Sequence, residues 1–353
     1  MGGLFGSSQQ EDNTPNYPID PLLKEKAYAL ENEYLTKYCS SLTSQELHYK
    51  DIPIDNEGTY LHTLIRNEDD LNKPNFNNKK ILFLLHGYQA SSFIFYRIIP
   101  LISNEFIIIC PDILGFGFSS RPKIKFTSTD QCIDFFVESI EKLRQALKIE
   151  KFYICGHSLG GYFAFNYVFK YPQYIEDKIF MMSPTGIGDN TKGGDNTENL
   201  YFDQRVVFVW TWGLLFYLQP TSQSLSKKYF LGNWIKSGED NKFEISKEEN
   251  ELIGKIRRMH FEYPPDLETC IFYIYKHPLP TPIKPLEDII VEKIPEKDII
   301  FIFGENDWMD KFGTERLNKK DENKYKYYII PKTGHRWPIE KVEEGAKIIN
   351  ENI

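Results

Sequence analysis

The sequence lacks the features of a secreted protein. It has five cysteines among 353 residues, an odd number without the spacing of a disulfide framework, so we expect reduced, buried thiols. No secretory apolar region follows Met1, and the first basic residue is Lys24, which argues against an arginine-rich transit peptide. We therefore expect a cytoplasmic protein. The cysteines are Cys39, Cys110, Cys132, Cys155 and Cys270.

An excess of positive charge is also missing. The net charge is −8 at pH 7 and the pI is about 5.5, which argues against nucleic-acid binding because phosphate backbones require clustered cations. No metal-ligand spacing occurs, so we predict neither a metal nor another cofactor. Arg121, Lys123 and Lys125 follow a glycine-containing loop. They fit a solvated loop or, alternatively, a contact with a phosphate headgroup.

One short motif carries the main functional signal. Gly156, His157, Ser158, Leu159 and Gly160 follow an apolar run that predicts a strand and precede a helix-like segment. A serine at such a turn is strained with its hydroxyl exposed, and flanking glycines avoid a collision with neighbouring backbone. The pattern resembles the nucleophile elbow of α/β hydrolases, although a serine here can also be a helix N-cap.

A second predicted strand ends in a loop that could provide an oxyanion-hole donor beside this elbow. Lys80 to Leu85 ends in His86, Gly87 and Tyr88, the place where the α/β hydrolase fold puts an oxyanion-hole donor. The resemblance implies that the N–H groups of Tyr88 and Leu159 form this hole, the latter at a helix N-terminus that favours negative charge. We expect His86 and His157 to shape the site through hydrogen bonds.

Two later loops complete a triad. Asp307 follows the predicted strand Ile299 to Phe303, and His335 follows the predicted strand Tyr325 to Ile330. The order Ser158, Asp307, His335 is the one that α/β hydrolases use. His335 would then be the general base and Asp307 its orienting acid, with Glu305 and Asp310 as alternatives in the same loop.

Longer segments narrow the resemblance. The stretch from Pro111 to Pro122 and the residues Asp307-Trp308-Met309 look like lipid-directed α/β hydrolases. That group includes cardiolipin-specific deacylase, the N-acyl-phosphatidylethanolamine lipase and the adipose lipase coactivator of Chanarin-Dorfman syndrome. The resemblance implies a serine hydrolase that cleaves acyl esters of lipids, such as phospholipids or lysophospholipids. The alternatives are a small-ester carboxylesterase, a lysophospholipid acyltransferase, or a non-catalytic lipid-surface protein that recruits a lipase.

Two residues bear on these alternatives. The coactivator lacks the nucleophilic serine, whereas this chain has Ser158, which favours catalysis. The family also carries a proposed acyltransferase signature, a histidine followed five residues later by an aspartate. Here Glu340 stands in that place after His335, and it could equally be an acidic residue in the first turn of a helix.

The alternation of strand and helix patterns predicts an α/β fold, a mostly parallel doubly wound sheet with an inserted helical lid. We divide the chain into an N-terminal tail and leading helix (1–45), a first part of the hydrolase core (46–186), a lid insertion (187–286) and a second part of the core (287–353). The insertion is too long for a plain loop. Its apolar run Val206 to Leu218 is too short to span a bilayer, which needs roughly twenty residues.

Two segments indicate contact with lipid. The run Val206 to Leu218 fits a lid helix packed on the core, a helix lining an acyl-chain tunnel, or a helix dipping into a lipid surface. Gly2 invites N-myristoylation, although Gly6 stands where the usual hydroxyl would be. The alternative is a disordered polar tail to about Pro21. We expect a lipid or acyl-ester substrate. Through either segment we also expect peripheral association with a membrane or a lipid-droplet surface.

Overall fold

The structure is a computed structural model that describes residues 16–39, 41–42, 46–71, 79–188, 245–263, 267–276 and 281–353. Eight strands of these residues form one sheet in the order β1-β2-β4-β3-β5-β6-β9-β10. They are β1 (Leu47–Pro53), β2 (Tyr60–Arg66), β3 (Lys80–Leu85), β4 (Phe106–Pro111), β5 (Phe152–His157), β6 (Ile175–Met182), β9 (Asp298–Gly304) and β10 (Tyr325–Ile330). Two short strands, β7 (Tyr275–Lys276) and β8 (Thr281–Pro282), pair separately.

The sheet is mostly parallel, as the sequence predicted. β1 and β2 form an antiparallel hairpin, and β2 is antiparallel to β4. The other neighbours in the large sheet are parallel. The carboxyl ends of β3, β5, β9 and β10 therefore meet along one edge, which is where open α/β sheets bind ligands.

Helices cover both faces of the sheet. They are α1 (Pro21–Tyr38), α2 (Glu68–Leu71), α3 (Thr129–Ala146), α4 (Leu159–Lys170), α5 (Lys247–Glu262), α6 (Ile271–Ile274), α7 (Glu287–Lys293), α8 (Phe312–Lys320), α9 (Trp337–Glu340) and α10 (Val342–Glu351). Successive residues of β3 belong to different apolar clusters, Phe83 to one and Leu84 to the other. This alternation explains why the central strands are apolar throughout, because both faces are buried.

The helix α5 lies against α1, although the two are far apart in sequence. The Tyr34 hydroxyl of α1 donates to Glu249 Oε1 of α5 at 2.6 Å, and Lys37 pairs with Glu248. Ser246 caps α5 by accepting a hydrogen bond from the N–H of Glu249. Charged residues in the first turn of α5 therefore make polar contacts with α1. The rest of the predicted lid, including Val206 to Leu218, lies outside the described residues.

The N-terminal segment joins the core earlier than expected. The Tyr17 N–H donates to the Arg121 carbonyl at 2.7 Å, and the Asn16 amide donates to Thr59 Oγ1 at 3.1 Å. The expectation of a disordered tail to about Pro21 is wrong for these residues, because the Tyr17 backbone is bonded to the loop after β4 and the Asn16 side chain to the turn before β2. Gly2 lies outside the described residues.

A buried charged network ties α1 to the hairpin. His62 is fully buried, and its ring nitrogens lie 2.9 Å from Glu31 Oε2 and 2.8 Å from Asp51 Oδ1. The rings of Tyr28 and Tyr49 stack on it at centroid distances of 4.6 Å. Burial alone would lower the pKa of His62, but the two carboxylates outweigh it and raise this pKa from 6.5 to about 10.

This network predicts a pH dependence of stability. A histidine whose pKa is higher in the folded state contributes fully below its unfolded pKa, and the contribution is lost as pH rises through the folded pKa. The melting temperature should therefore fall between about pH 6.5 and about pH 10. Thermal unfolding of the wild type, of His62→Gln and of the half-exposed control His48→Gln measures this. Only His62→Gln should flatten the fall, and equal slopes in all three would contradict the assignment.

Candidate active site

Ser158 lies at a strained turn between β5 and α4. Its φ is +54° and its ψ −120°, a conformation that non-glycine residues rarely adopt, and its side chain makes no capping hydrogen bond to α4. The Ser158 side chain therefore does not cap α4, in contrast to the N-cap alternative. The turn is fixed by backbone hydrogen bonds: the Ser158 N–H donates to Met182 O at 3.0 Å, and the Thr185 N–H donates to Ser158 O at 3.1 Å.

Glycines let the backbone approach closely around this turn. A β-carbon on Gly160 would lie 2.3 Å from the carbonyl oxygens of His86 and Leu85, and one on Gly156 would lie 2.5 Å from Gly161 Cα. A β-carbon on Gly87 would lie 2.8 Å from Ser158 Cβ. The loop after β3 and the turn after β5 are thus in direct contact, which only glycine permits.

Asp307 and His335 meet at the same edge of the sheet. The His335 Nδ1–H donates to Asp307 Oδ1 at 3.0 Å, and the Asp307 side chain is fully buried. Burial would raise the pKa of Asp307, but the adjacent His335 outweighs it and keeps this pKa below its usual value. Asp307 also accepts a hydrogen bond from the Met309 N–H at 2.9 Å. An ionised carboxylate so held can orient His335 and stabilise an imidazolium.

The two alternative acids are engaged elsewhere. Glu305 Oε2 accepts a hydrogen bond from the Lys332 N–H at 2.8 Å, and Asp310 Oδ1 accepts one from the Phe312 N–H at 2.9 Å. The Glu305 carboxylate links its loop to the loop after β10, and the Asp310 carboxylate braces its own loop. The geometry therefore favours Asp307 as the partner of His335.

Neighbouring side chains fix the loop that carries His335. The His157 Nε2–H donates to the His335 carbonyl at 2.9 Å, and burial together with the nearby His335 lowers the pKa of His157 to about 3. Glu340 Oε2 accepts hydrogen bonds from Thr333 Oγ1 and from the Gly334 N–H. Glu340 thus lies in the single turn of the short helix α9, which agrees with its interpretation as an acidic residue in the first turn of a helix, and it also braces this loop.

His86 makes a similar structural connection. Its Nδ1–H donates to the Gly87 carbonyl and its Nε2 accepts from the Ile113 N–H, each at 2.8 Å. Burial lowers the pKa of His86, which favours this neutral form. The ring holds the turn that carries Tyr88 against the segment after β4. Tyr88 directly follows the glycine in contact with Ser158, and Leu159 is the first residue of α4.

Comparison with known proteins identifies the family. A model described as the alpha/beta hydrolase fold matches residues 80–342, which is most of the chain. The chain belongs to the α/β hydrolase fold family. Solved α/β hydrolases share the fold at low identity. A serine hydrolase from Cycloclasticus zankles has a TM-score of 0.61, 19% identity and coverage of 86% of this chain and 96% of its own. Naproxen esterase from Bacillus subtilis has a TM-score of 0.58 at 17% identity, covering 95% of this chain and 98% of its own.

Relatives in sequence bear names from lipid acyl chemistry. A 1-acylglycerol-3-phosphate O-acyltransferase of Arabidopsis thaliana is 28% identical over 269 residues, or 72% of this chain and 62% of that protein. One named ICT1 from Saccharomyces cerevisiae is 24% identical over 344 residues, or 78% of this chain and 84% of its own. One named ABHD5 from Homo sapiens is 35% identical over 112 residues, or 32% of each chain. The chain spans slightly less than two thirds of the plant relatives. The predicted resemblance to the lipid-directed branch of α/β hydrolases is confirmed.

Asp112 is a site-supporting residue of this α/β hydrolase to which the sequence assigned no role. Its Oδ1 accepts hydrogen bonds from the N–H and hydroxyl of Ser92 at 2.7 and 2.6 Å, and its Oδ2 accepts from the Phe118 N–H at 2.7 Å. A β-carbon on Gly117 would overlap this carboxylate. The position of Asp112 directly after β4 could have indicated this role, because the carboxyl ends of parallel strands converge on the ligand-binding edge of the sheet.

Arg121 corrects the expectation of a solvated basic loop. Its residue is only 1% exposed, and its guanidinium donates to the Gly117 carbonyl and lies 5.6 Å from the centre of the Tyr263 ring. Lys123 and Lys125 are exposed as expected. The error arose because a loop pattern does not reveal that Arg121 folds back under α5.

Within the described parts of the chain, no helix is long and apolar enough to cross a membrane. No group of three or more histidine, cysteine or acidic side chains in those parts could hold a metal ion.

Proposed function

We propose that this protein is a serine enzyme that cleaves acyl esters of lipids through an acyl-enzyme on Ser158. The observation that carries the proposal is the strained Ser158 at the end of β5, along the same sheet edge as a hydrogen-bonded Asp307–His335 pair. Lipid-related names of the sequence relatives support an acyl lipid as substrate.

The reaction would proceed in two stages. His335 takes the proton of the Ser158 hydroxyl as its oxygen attacks the ester carbonyl, and Asp307 stabilises the resulting imidazolium. The N–H groups of Leu159 and Tyr88 stabilise the oxyanion, assisted by the N-terminus of α4. The tetrahedral intermediate collapses, His335 returns the proton to the leaving alcohol, and Ser158 remains acylated. A second nucleophile, activated by His335, then releases the acyl group.

We propose water as that second nucleophile, which makes the protein a hydrolase of phospholipids or lysophospholipids. The second candidate is the hydroxyl of a lysophospholipid, favoured by the acyltransferase names of the plant and yeast relatives. Glu340, which stands in place of the aspartate of the acyltransferase signature, braces the His335 loop.

A labelling and product assay tests the proposal. Separate samples of wild type and of Ser158→Ala are either treated with a fluorophosphonate or given phospholipids, lysophospholipids, triacylglycerol and a short p-nitrophenyl ester. We expect labelling at Ser158 and fatty-acid release from one lipid class, both abolished by the substitution. Addition of 1-acylglycerol 3-phosphate as acceptor separates the candidates, because transfer yields a diacyl product in place of free fatty acid.

Two other outcomes would contradict the proposal. Turnover of the short ester alone indicates a small-ester carboxylesterase. Absence of both labelling and turnover from folded wild type indicates a non-catalytic lipid-surface protein. Association with a membrane or lipid-droplet surface is part of the proposal, and flotation with phospholipid vesicles measures it.

A further inference from the structure

Three arginines from three parts of the chain converge beside the candidate active site. Arg257 on α5 donates from Nη2 to the Gln89 carbonyl at 3.2 Å, two residues after the glycine that touches Ser158. Arg336 directly follows His335. Arg121 closes the loop after β4. We call Arg121, Arg257 and Arg336 the arginine cluster.

The cluster is notable for its burial in an acidic protein. Arg121 is 1% exposed and Arg257 9% exposed, while the Arg336 side chain keeps 32% exposure. The chain as a whole carries a net charge of −8. Arginine presents planar N–H donors that match phosphate oxygens in pairs, which makes it well suited to bind this group.

The positive charges of the cluster lower the pKa values of neighbouring basic groups. Burial and then the charge of Arg336 lower the pKa of Arg257 to about 10. Burial, together with the positive charges of Arg257 and Arg121, holds the pKa of His260 well below its usual value. Positive charges near one another repel, and a bound anion would add to the negative charge that Glu340 Oε1 already places 4.0 Å from Arg336 Nε.

A neutral donor stands next to the cluster. His260 lies one turn after Arg257 on the same face of α5, and it is 7% exposed. Its Nε2 is buried and makes no hydrogen bond to any residue that the structure describes. A buried polar atom of this kind is rare in folded proteins, and it is consistent with a polar ligand at this place.

The position of the cluster fits the dimensions of a glycerophosphate. In such a lipid about four covalent bonds, or roughly 5 Å, separate the phosphorus from the oxygen at the neighbouring carbon of glycerol. A phosphate must therefore lie close to Ser158 when that oxygen reacts there. Arg257 contacts the loop predicted to carry an oxyanion donor, and Arg336 adjoins the predicted general base, so both lie in the right region.

We propose that Arg257 and Arg336, with Arg121 behind them and His260 as a neutral donor, form a subsite for the phosphate monoester of a glycerophosphate lipid. The inference rests on the proposed function, because it names the part of the substrate that these residues select. It implies that a lipid with a terminal phosphate is preferred over the same lipid without one.

Protection of Ser158 from a fluorophosphonate tests the subsite. The rate of labelling is measured with 1-oleoylglycerol 3-phosphate, with uncharged 1-oleoylglycerol, with glycerol 3-phosphate and with inorganic phosphate. We expect the phosphate lipid to protect at a concentration at least about tenfold below that of the uncharged lipid. Glycerol 3-phosphate should protect only weakly, because it lacks the acyl chain.

Substitutions assign the effect to the cluster. Arg257→Gln and Arg336→Gln should each remove most of the tenfold preference, while Arg257→Lys should retain part of it. Arg258→Gln is the matched control, since Arg258 is the exposed neighbour on α5 and should keep the full preference. Labelling without lipid normalises each variant, and the partly exposed Arg336 provides a test if Arg257→Gln does not fold.

The outcomes separate this inference from the proposed function. If Ser158 is not labelled at all, the proposed function fails. If Ser158 is labelled but both lipids protect equally, or the preference persists in both glutamine variants, the phosphate subsite is wrong. Protection by inorganic phosphate as strong as that by the phosphate lipid would also overturn it, because the cluster would then bind a free anion.

Discussion

Substitution of Asp307 by asparagine is expected to lower kcat by about ten-thousandfold on any ester that the wild type turns over. Asparagine keeps the shape of the side chain but not its negative charge, so His335 loses the group that fixes its tautomer and stabilises its charged form. The present contact is a 3.0 Å hydrogen bond from Nδ1 to a fully buried carboxylate. Steady-state kinetics with the short ester measure the effect, and thermal unfolding checks that the variant folds.

Asp310→Asn is the matched control for this substitution. Asp310 lies in the same loop and is largely buried, but its carboxylate accepts a hydrogen bond from the Phe312 N–H and does not contact His335. We expect its kcat to stay within a few-fold of the wild type. An active Asp307→Asn beside an inactive Asp310→Asn would reverse the assignment of the acid.

Substitution of Gly160 by alanine is expected to destabilise the fold by about 3 kcal/mol or more. The added β-carbon would lie 2.3 Å from two carbonyl oxygens at the end of β3. Backbone atoms of a central strand cannot move as the tip of a flexible side chain can, so α4 would have to shift away from the sheet. Unfolding by guanidinium chloride measures the change in free energy.

Gly58→Ala separates this collision from a general effect of replacing glycine. Gly58 has φ +83° in the exposed hairpin turn, and no atom lies within 4 Å of a β-carbon built there. Only the left-handed backbone is penalised, at about 1 kcal/mol. If Gly160→Ala were no more destabilising than Gly58→Ala, the close approach of α4 and β3 would be wrong.

Much of the sheet could be predicted because its strands are short apolar runs that end at turn residues. The predicted strands at Lys80 to Leu85 and Tyr325 to Ile330 match β3 and β10 residue for residue. The apolar run Ile179 to Met182 also indicates a strand, but β6 begins earlier, at Ile175. The polar stretch Glu176 to Lys178 hid that beginning, because its side chains are partly exposed and the pairing with β5 shifts in register across it, while Lys178 pairs with Asp298 of β9.

Ser158, Asp307 and His335, the residues of the proposed triad, could be placed together from sequence because each follows a strand at the same edge of the sheet. The parts of the site that the sequence did not reveal come from long-range packing. Arg257 lies in a helix that reads as an ordinary charged surface helix, and only the fold brings it to Gln89. The bracing role of Glu340 likewise depends on a turn back to Thr333, which no spacing predicts.

If Arg257 binds a headgroup phosphate as proposed, the contact between α1 and α5 gives the N-terminal helix a part in headgroup selection. α1 is attached to the sheet through Glu31 and His62, and it meets α5 through Tyr34. We therefore expect the side chains of α1 to influence the position of α5 above the sheet and, with it, the reach of Arg257. Relatives that change the size of the residue at position 34 would be expected to accommodate different headgroups without any change near the nucleophile.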